Sequence, residues 1–198
     1  MRERLLRLGV FALCLLPFVN LLVRALHNEL GPDPAKALML ATGEWSLRLL
    51  VLTLLVSPLR RWTGWGVLMR LRRMLGLYAF FYACLHLGAF GTFYAGWSAE
   101  LLLEELAERP YITVGFAAWL LLLPLAITST RGWQRRLRRN WGRLHWLVYP
   151  AVVLGCLHMW WQARSDIGEA LVYSVIFALL LAWRLRRAGI FARQPAPP

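Results

Sequence analysis

Of the chain's 198 residues, 59% are hydrophobic, only 17% are charged and 11 are tryptophan, a balance that excludes an ordinary soluble domain of this size. The net charge of +13 would suit nucleic acid, but the basic residues fall in short clusters between long apolar runs and form no single polar face. Nucleic acid is therefore excluded as a partner, and anionic lipid headgroups explain the charge instead.

The predicted elements are six apolar segments, each read as a helix crossing about 30 Å of hydrocarbon at 1.5 Å per residue. The first, about 5–26, follows a basic start as a signal peptide does. It lacks a small-residue cleavage site and is read as an uncleaved spanning helix. The second, about 43–59, is short and holds Arg48 four residues after Glu44, so the two either pair or Arg48 snorkels outward. The remaining four cover about 74–94, 111–129, 144–162 and 167–184. Pro17, Pro124 and Pro150 fall inside spans, where neighbouring helices absorb the freed carbonyls. The connecting stretches LGPDPAKALMLATGEW and EELAERPY read as loops with turns at Gly and Pro, and residues 185–198, ending QPAPP, as a short disordered tail. No repeat with a period of 20–50 residues is visible. Cys14, Cys84 and Cys156 each sit in an apolar run without a CxxC pattern, and so read as small buried hydrophobes.

Charge sets the orientation. The N-terminus, 59–73, 130–143 and the tail from Arg184 carry eighteen of the 23 basic residues against one acid, Glu3. The opposite loops carry the other nine acids. By the positive-inside rule both termini are cytoplasmic. The expected fold is thus an all-α integral membrane protein, a single six-transmembrane-helix bundle over residues 1–198.

Four histidines remain to be placed. His86 lies thirteen residues beyond Arg73 and His158 fifteen beyond Arg143, so both stand roughly 20 Å above the cytoplasmic edge. Two imidazoles at one level on different helices are what a bis-histidine haem b requires. His145, two residues past Arg143, lies near the cytoplasmic edge, about 20 Å below His158. That depth suits a second haem, but no other histidine shares it. His145 and His158 also fall roughly 140° apart on a straight helix unless Pro150 re-phases it. Its alternatives are another redox role or a plain interfacial residue. His27, at the outer end of the first helix, reads as solvated. Tyr78, Tyr82, Phe90, Trp160 and Trp161 either line a porphyrin or anchor helix ends. Gly76, Gly88 and Gly155 either admit a macrocycle or serve helix packing. The Arg135–Arg139 block marks topology, or also guides an acidic partner or phosphate cofactor. No activated nucleophile or carboxylate pair suited to hydrolysis is present.

The stretches LGPDPAKALMLATG, SPLRR, RRMLGLYAFFYACLHL, RPYITVGFAAW, ITST and RLHWLVYPAVVLGCLH occur in the order seen in the MsrQ (YedZ) family of haem-binding membrane subunits. Nearly the whole chain resembles that family, which belongs to the ferric-reductase-like transmembrane superfamily. The resemblance implies haem b on His86 and His158, with His145 also haem-related, giving one haem or two. It also implies an FMN with no residue assigned to it. Quinone or a cytoplasmic flavin reductase would supply electrons, to be passed to MsrP, a periplasmic molybdopterin methionine-sulfoxide reductase, at the bacterial inner membrane. The superfamily has two histidine pairs and this chain matches one of them completely. The alternatives are a self-contained ferric or oxygen reductase, disfavoured because no nucleotide-binding domain follows the sixth span, and a non-redox transporter or assembly factor whose histidines relay protons.

Overall fold

A computed structural model of the chain describes residues 2–163 and 167–187. Among the described residues there is no β-strand. The helices are α1 (Arg2–Leu26), α2 (Pro34–Thr63), α3 (Val67–Phe93), α4 (Ala99–Glu108), α5 (Pro110–Ile127), α6 (Arg131–Leu137), α7 (Arg139–Leu144), α8 (Val148–Gln162) and α9 (Gly168–Arg187). The QPAPP tail lies outside the described residues. Six stretches are long and apolar enough to cross a membrane: Glu3–Leu26, Pro34–Thr63, Val67–Phe93, Pro110–Ile127, Arg139–Gln162 and Gly168–Arg187. Their outward faces stay apolar, with Leu13 and Leu179 each 67% exposed. Water would not tolerate such a surface; hydrocarbon covers it without cost.

The second span is longer than its hydropathy suggests, and local chemistry explains both ends. Asp33 caps α2 by accepting from the Lys36 amide (3.0 Å), and Pro34 fits the first helical position, where no N–H is needed. Gly64, at φ 72°, closes the far end in the left-handed conformation that glycine adopts freely. Glu44 and Arg48 form the i,i+4 pair (2.7 Å), and the Arg48 guanidinium also lies 4.9 Å from the Trp45 ring centre.

A second difference concerns the stretch read as a loop before the fourth span. It folds as α4, because the Ser98 hydroxyl caps it by accepting from the Leu101 amide (3.4 Å). Arg109, which precedes Pro110, is held extended at φ −122°, ψ 88°, as proline demands of its neighbour, so α4 stops and α5 begins there. Ten residues are too few to span, and four glutamates on α4 keep it at the membrane surface.

The core of the bundle is a pair of antiparallel hairpins. In the first, α2 and α3 touch through Gly43 with His86, Ser46 with Ala79, and Thr53 with Gly76, a sequence of contacts that runs in opposite directions along the two helices. In the second, α5 and α8 meet through Gly115 with His158. The buried centre includes Leu49, Ala79, Tyr82, Val152 and Phe177. Helix α1 joins this centre at a defect of its own. Pro17 cannot continue the helical ladder, and the Tyr82 hydroxyl accepts from the Phe18 amide (3.0 Å) and donates to the Cys14 carbonyl (2.8 Å). Those are the donor and acceptor that an unbroken helix would pair with each other.

Glu3 pairs with Arg70, and Arg72 and Arg184 line one cavity. The start of α1, the start of α3 and the end of α9 therefore share one end of the bundle, rich in arginine. The glutamates of α4 lie beyond the far ends of α3 and α5.

Candidate functional site

His86 on α3 and His158 on α8 face each other across the bundle, their ring centres 6.1 Å apart and their planes at 85°. Each ring is held by a backbone carbonyl of the helix hairpinned to its own: His86 Nδ1 by Met39 O at 2.9 Å, His158 Nδ1 by Tyr111 O at 2.6 Å. A carbonyl only accepts, so Nδ1 is the protonated nitrogen in both rings and Nε2 keeps its lone pair. This is the second hydrogen bond that metal-binding imidazoles ordinarily make.

Glycine makes room for each ring. A Cβ built on Gly43 would lie 3.1 Å from His86 Nδ1, and one on Gly115 would lie 2.6 Å from His158 Nδ1. The second distance is shorter than real Cβ contacts, so any side chain at Gly115 displaces the ring. The two halves obey the same rule. Carbonyl and histidine are 47 residues apart in both, and the glycine follows the carbonyl residue by one helical turn, at 43 after 39 and at 115 after 111.

Two imidazoles bound to one metal, with bonds of about 2.0–2.1 Å and about 1.2 Å from nitrogen to ring centre, have centres about 6.4 Å apart. The observed separation fits that arrangement. Among the described residues no three His, Cys, Asp or Glu side chains converge as a metal-ion site. Two protein ligands on opposite sides suit a metal that brings its own equatorial donors, as iron in a porphyrin does. The donor set and the glycine cradles thus fit haem.

His145 occupies a separate place at the arginine-rich end. It begins a 3-10 turn, His145–Leu147, that separates α7 from α8, so it and His158 do not share one straight helix. Pro150 in the first turn of α8 lacks the N–H that would continue the ladder backwards. The Trp141 ring lies 4.0 Å from the His145 ring, and its Nε1 donates to the Thr128 carbonyl (2.9 Å). The Thr128 hydroxyl donates its one proton to Pro124 O (2.6 Å) and so accepts from His145 Nε2 at 3.3 Å. His145 therefore offers Nδ1, not Nε2, as its free nitrogen. His27 is exposed at the end of α1.

Most of the other residues singled out in the sequence have protein neighbours. Tyr82 bridges α1, Tyr78 packs edge-on against Phe11 (5.6 Å), Phe90 stacks on Tyr94 (6.0 Å), and Trp160 donates to Ser174 (2.8 Å). Gly76 and Gly155 meet Thr53 and Leu47 at ordinary packing distance, and Gly88 faces open space. Sequence reasoning missed Gly43, Gly115, Met39 and Tyr111. The Tyr111 ring, 6.2 Å from that of His158, also belongs to the site.

Residues 42–156, which contain Gly43, Gly115, His86 and His145 and end two residues before His158, match the family described as ferric reductase like transmembrane component. The chain is 55% identical over 175 residues to the "Protein-methionine-sulfoxide reductase heme-binding subunit MsrQ" of Xanthomonas axonopodis pv. citri (strain 306), covering 86% of this chain and 80% of that one. The protein of the same name from Xanthomonas campestris pv. campestris (strain 8004) is 56% identical with the same coverage. That from Herminiimonas arsenicoxydans is 44% identical over 184 residues, covering 91% of this chain and 84% of its own. No solved structure matches. By the family match over residues 42–156 and by these relatives, the chain belongs to the ferric-reductase-like transmembrane family, within its MsrQ group.

Proposed function

We propose that the chain is the haem b electron-transfer subunit of a methionine-sulfoxide reductase system in the bacterial inner membrane, with both termini cytoplasmic. It takes electrons from the quinone pool or a cytoplasmic flavin reductase and hands them to a periplasmic molybdopterin reductase, MsrP, which repairs oxidised periplasmic proteins. The observation that carries this reading is the facing His86–His158 pair, each ring fixed through Nδ1 to a carbonyl and seated on a glycine. The names of the relatives and the charge asymmetry support it.

In this reading His86 and His158 ligate one haem through Nε2. The haem, when bound, supplies a one-electron carrier, while the protein sets its axial ligands and its burial. Met39 and Tyr111 fix the tautomer and the direction of each ring, so neither imidazole must reorient as the charge between them changes. The apolar helices around the pair keep water away. His145 with Thr128 and Trp141 forms a second cofactor-binding position at the electron-entry end, ligating metal in turn through its free Nδ1. An FMN completes the cofactors, on the strength of the resemblance and with no residue assigned to it.

The test is the optical and EPR spectrum of the purified chain, with haem counted per chain. His86→Ala and His158→Ala each abolish most of the low-spin signal. Full bis-histidine spectra in both variants would overturn the ligand assignment. His145→Ala leaves that signal in place and lowers the haem count or the rate of electron uptake. If count and uptake both stay normal, His145 has no cofactor role.

A further inference from the structure

At the arginine-rich end, between α2, α3, α9 and the turn before α8, lies a cavity of about 580 Å³. Five arginines line it: Arg60, Arg61, Arg72, Arg184 and Arg187. Arg72 and Arg184, both half-buried, also share a smaller pocket with Ser57 and Tyr149 just beneath. No carboxylate lines either space. The ion pairs among the described residues are Glu44 with Arg48, Glu3 with Arg70 and Glu105 with Arg109, and none reaches these arginines. The sequence offers nothing more on this side, since Glu3 is its one acid there and Arg70 holds it. Like charges gathered in a half-buried space are costly unless an anion compensates them.

We infer that this cavity binds the phosphate of an anionic phospholipid, whose diester oxygens the guanidinium groups of Arg72 and Arg184 hold from within the bundle's edge. Arginine suits phosphate because its planar fork presents paired donors to two oxygens. A soluble phosphate carries the same chemistry. The remaining wall favours the lipid: Met69, Trp146 and Trp183 give the cavity an apolar side, and Trp146 is 44% exposed, as suits a tryptophan at a membrane interface. Basic pockets between spans on the positive side of a membrane are suited to such headgroups. The site is independent of the histidine pair, and its test does not read the haem.

The experiment is native mass spectrometry of the full chain in detergent, titrated with phosphatidylglycerol or with phosphatidylcholine. The expected result is retention of one phosphatidylglycerol per chain under conditions that strip phosphatidylcholine. The Arg72→Gln/Arg184→Gln variant weakens that retention by roughly tenfold to thirtyfold, and Arg135→Gln/Arg136→Gln, outside the cavity, leaves it unchanged. Equal retention of the two lipids by the unaltered chain overturns the proposal, and this comparison decides alone if the double variant does not fold. Displacement of the lipid by millimolar inorganic phosphate or FMN also overturns it, in favour of a soluble phosphate.

Discussion

Gly115 controls the site although it carries no side chain. Its place is set by His158, whose Nδ1 would stand 2.6 Å from any Cβ there, whereas Gly43 leaves His86 at 3.1 Å, close enough for a small yield to absorb. Gly115→Ala is therefore expected to push the imidazole off the Tyr111 carbonyl and to remove most of the low-spin haem, while Gly43→Ala removes less. Haem counted per chain in the two variants checks this, and the reverse order would show that the glycines do not seat the rings. At this scale the sequence is readable in part. His86 and His158 betray themselves by similar distances from the arginine clusters, thirteen and fifteen residues, because helical rise converts residue number into depth. Gly43 and Gly115 do not, since which residue faces a ring depends on how two helices are rotated against each other, and hydropathy is silent on rotation. Gly76, Gly88 and Gly155 lie on the helices that bear the histidines, but the room is made on the helices opposite. The one available signal was the shared spacing of 39, 43 and 86 with 111, 115 and 158.

Among the elements, α1 shows how a span with little buried surface is nevertheless fixed. Beside its apolar contacts, a polar one reaches the centre through Tyr82, which is 0% exposed and mends the ladder beside Pro17. Tyr82→Phe leaves the Phe18 amide and Cys14 carbonyl without this partner, at a cost of about 1–3 kcal/mol. Thermal unfolding in detergent should fall accordingly, and Tyr78→Phe, whose ring packs edge-on against Phe11 and Phe81, should change little. An unchanged midpoint for Tyr82→Phe would mean that α1 is held by apolar packing alone. The number and order of spans were legible because about twenty apolar residues in a row have few other uses. The extra length of α2 and the existence of α4 were not, because Asp33 and Ser98 act as caps only once the chain has turned there. The break between α7 and α8 lies between these cases: Pro150 announces a discontinuity, and the 3-10 turn ahead of it supplies the form.

For the whole molecule, the arginine-rich end gathers the start of α1, the α2–α3 and α5–α8 junctions and the end of α9, and the acids of α4 lie opposite. A reporter active only outside the cytoplasm should therefore work when fused after Gly96 and fail when fused after Arg138 or Arg187. Activity at all three, or the inverse pattern, would refute the proposed orientation. The proposed orientation also has a consequence for charge. Met39 and Tyr111 hold their rings through main-chain oxygens, groups that do not ionise at any physiological pH. Neither ring thus has a side-chain partner through which a proton could accompany an electron, so passage outward, in the proposed orientation, would be electrogenic. A resting voltage negative inside would then favour each such transfer, by up to about 2.3 kcal/mol per 100 mV for a full crossing.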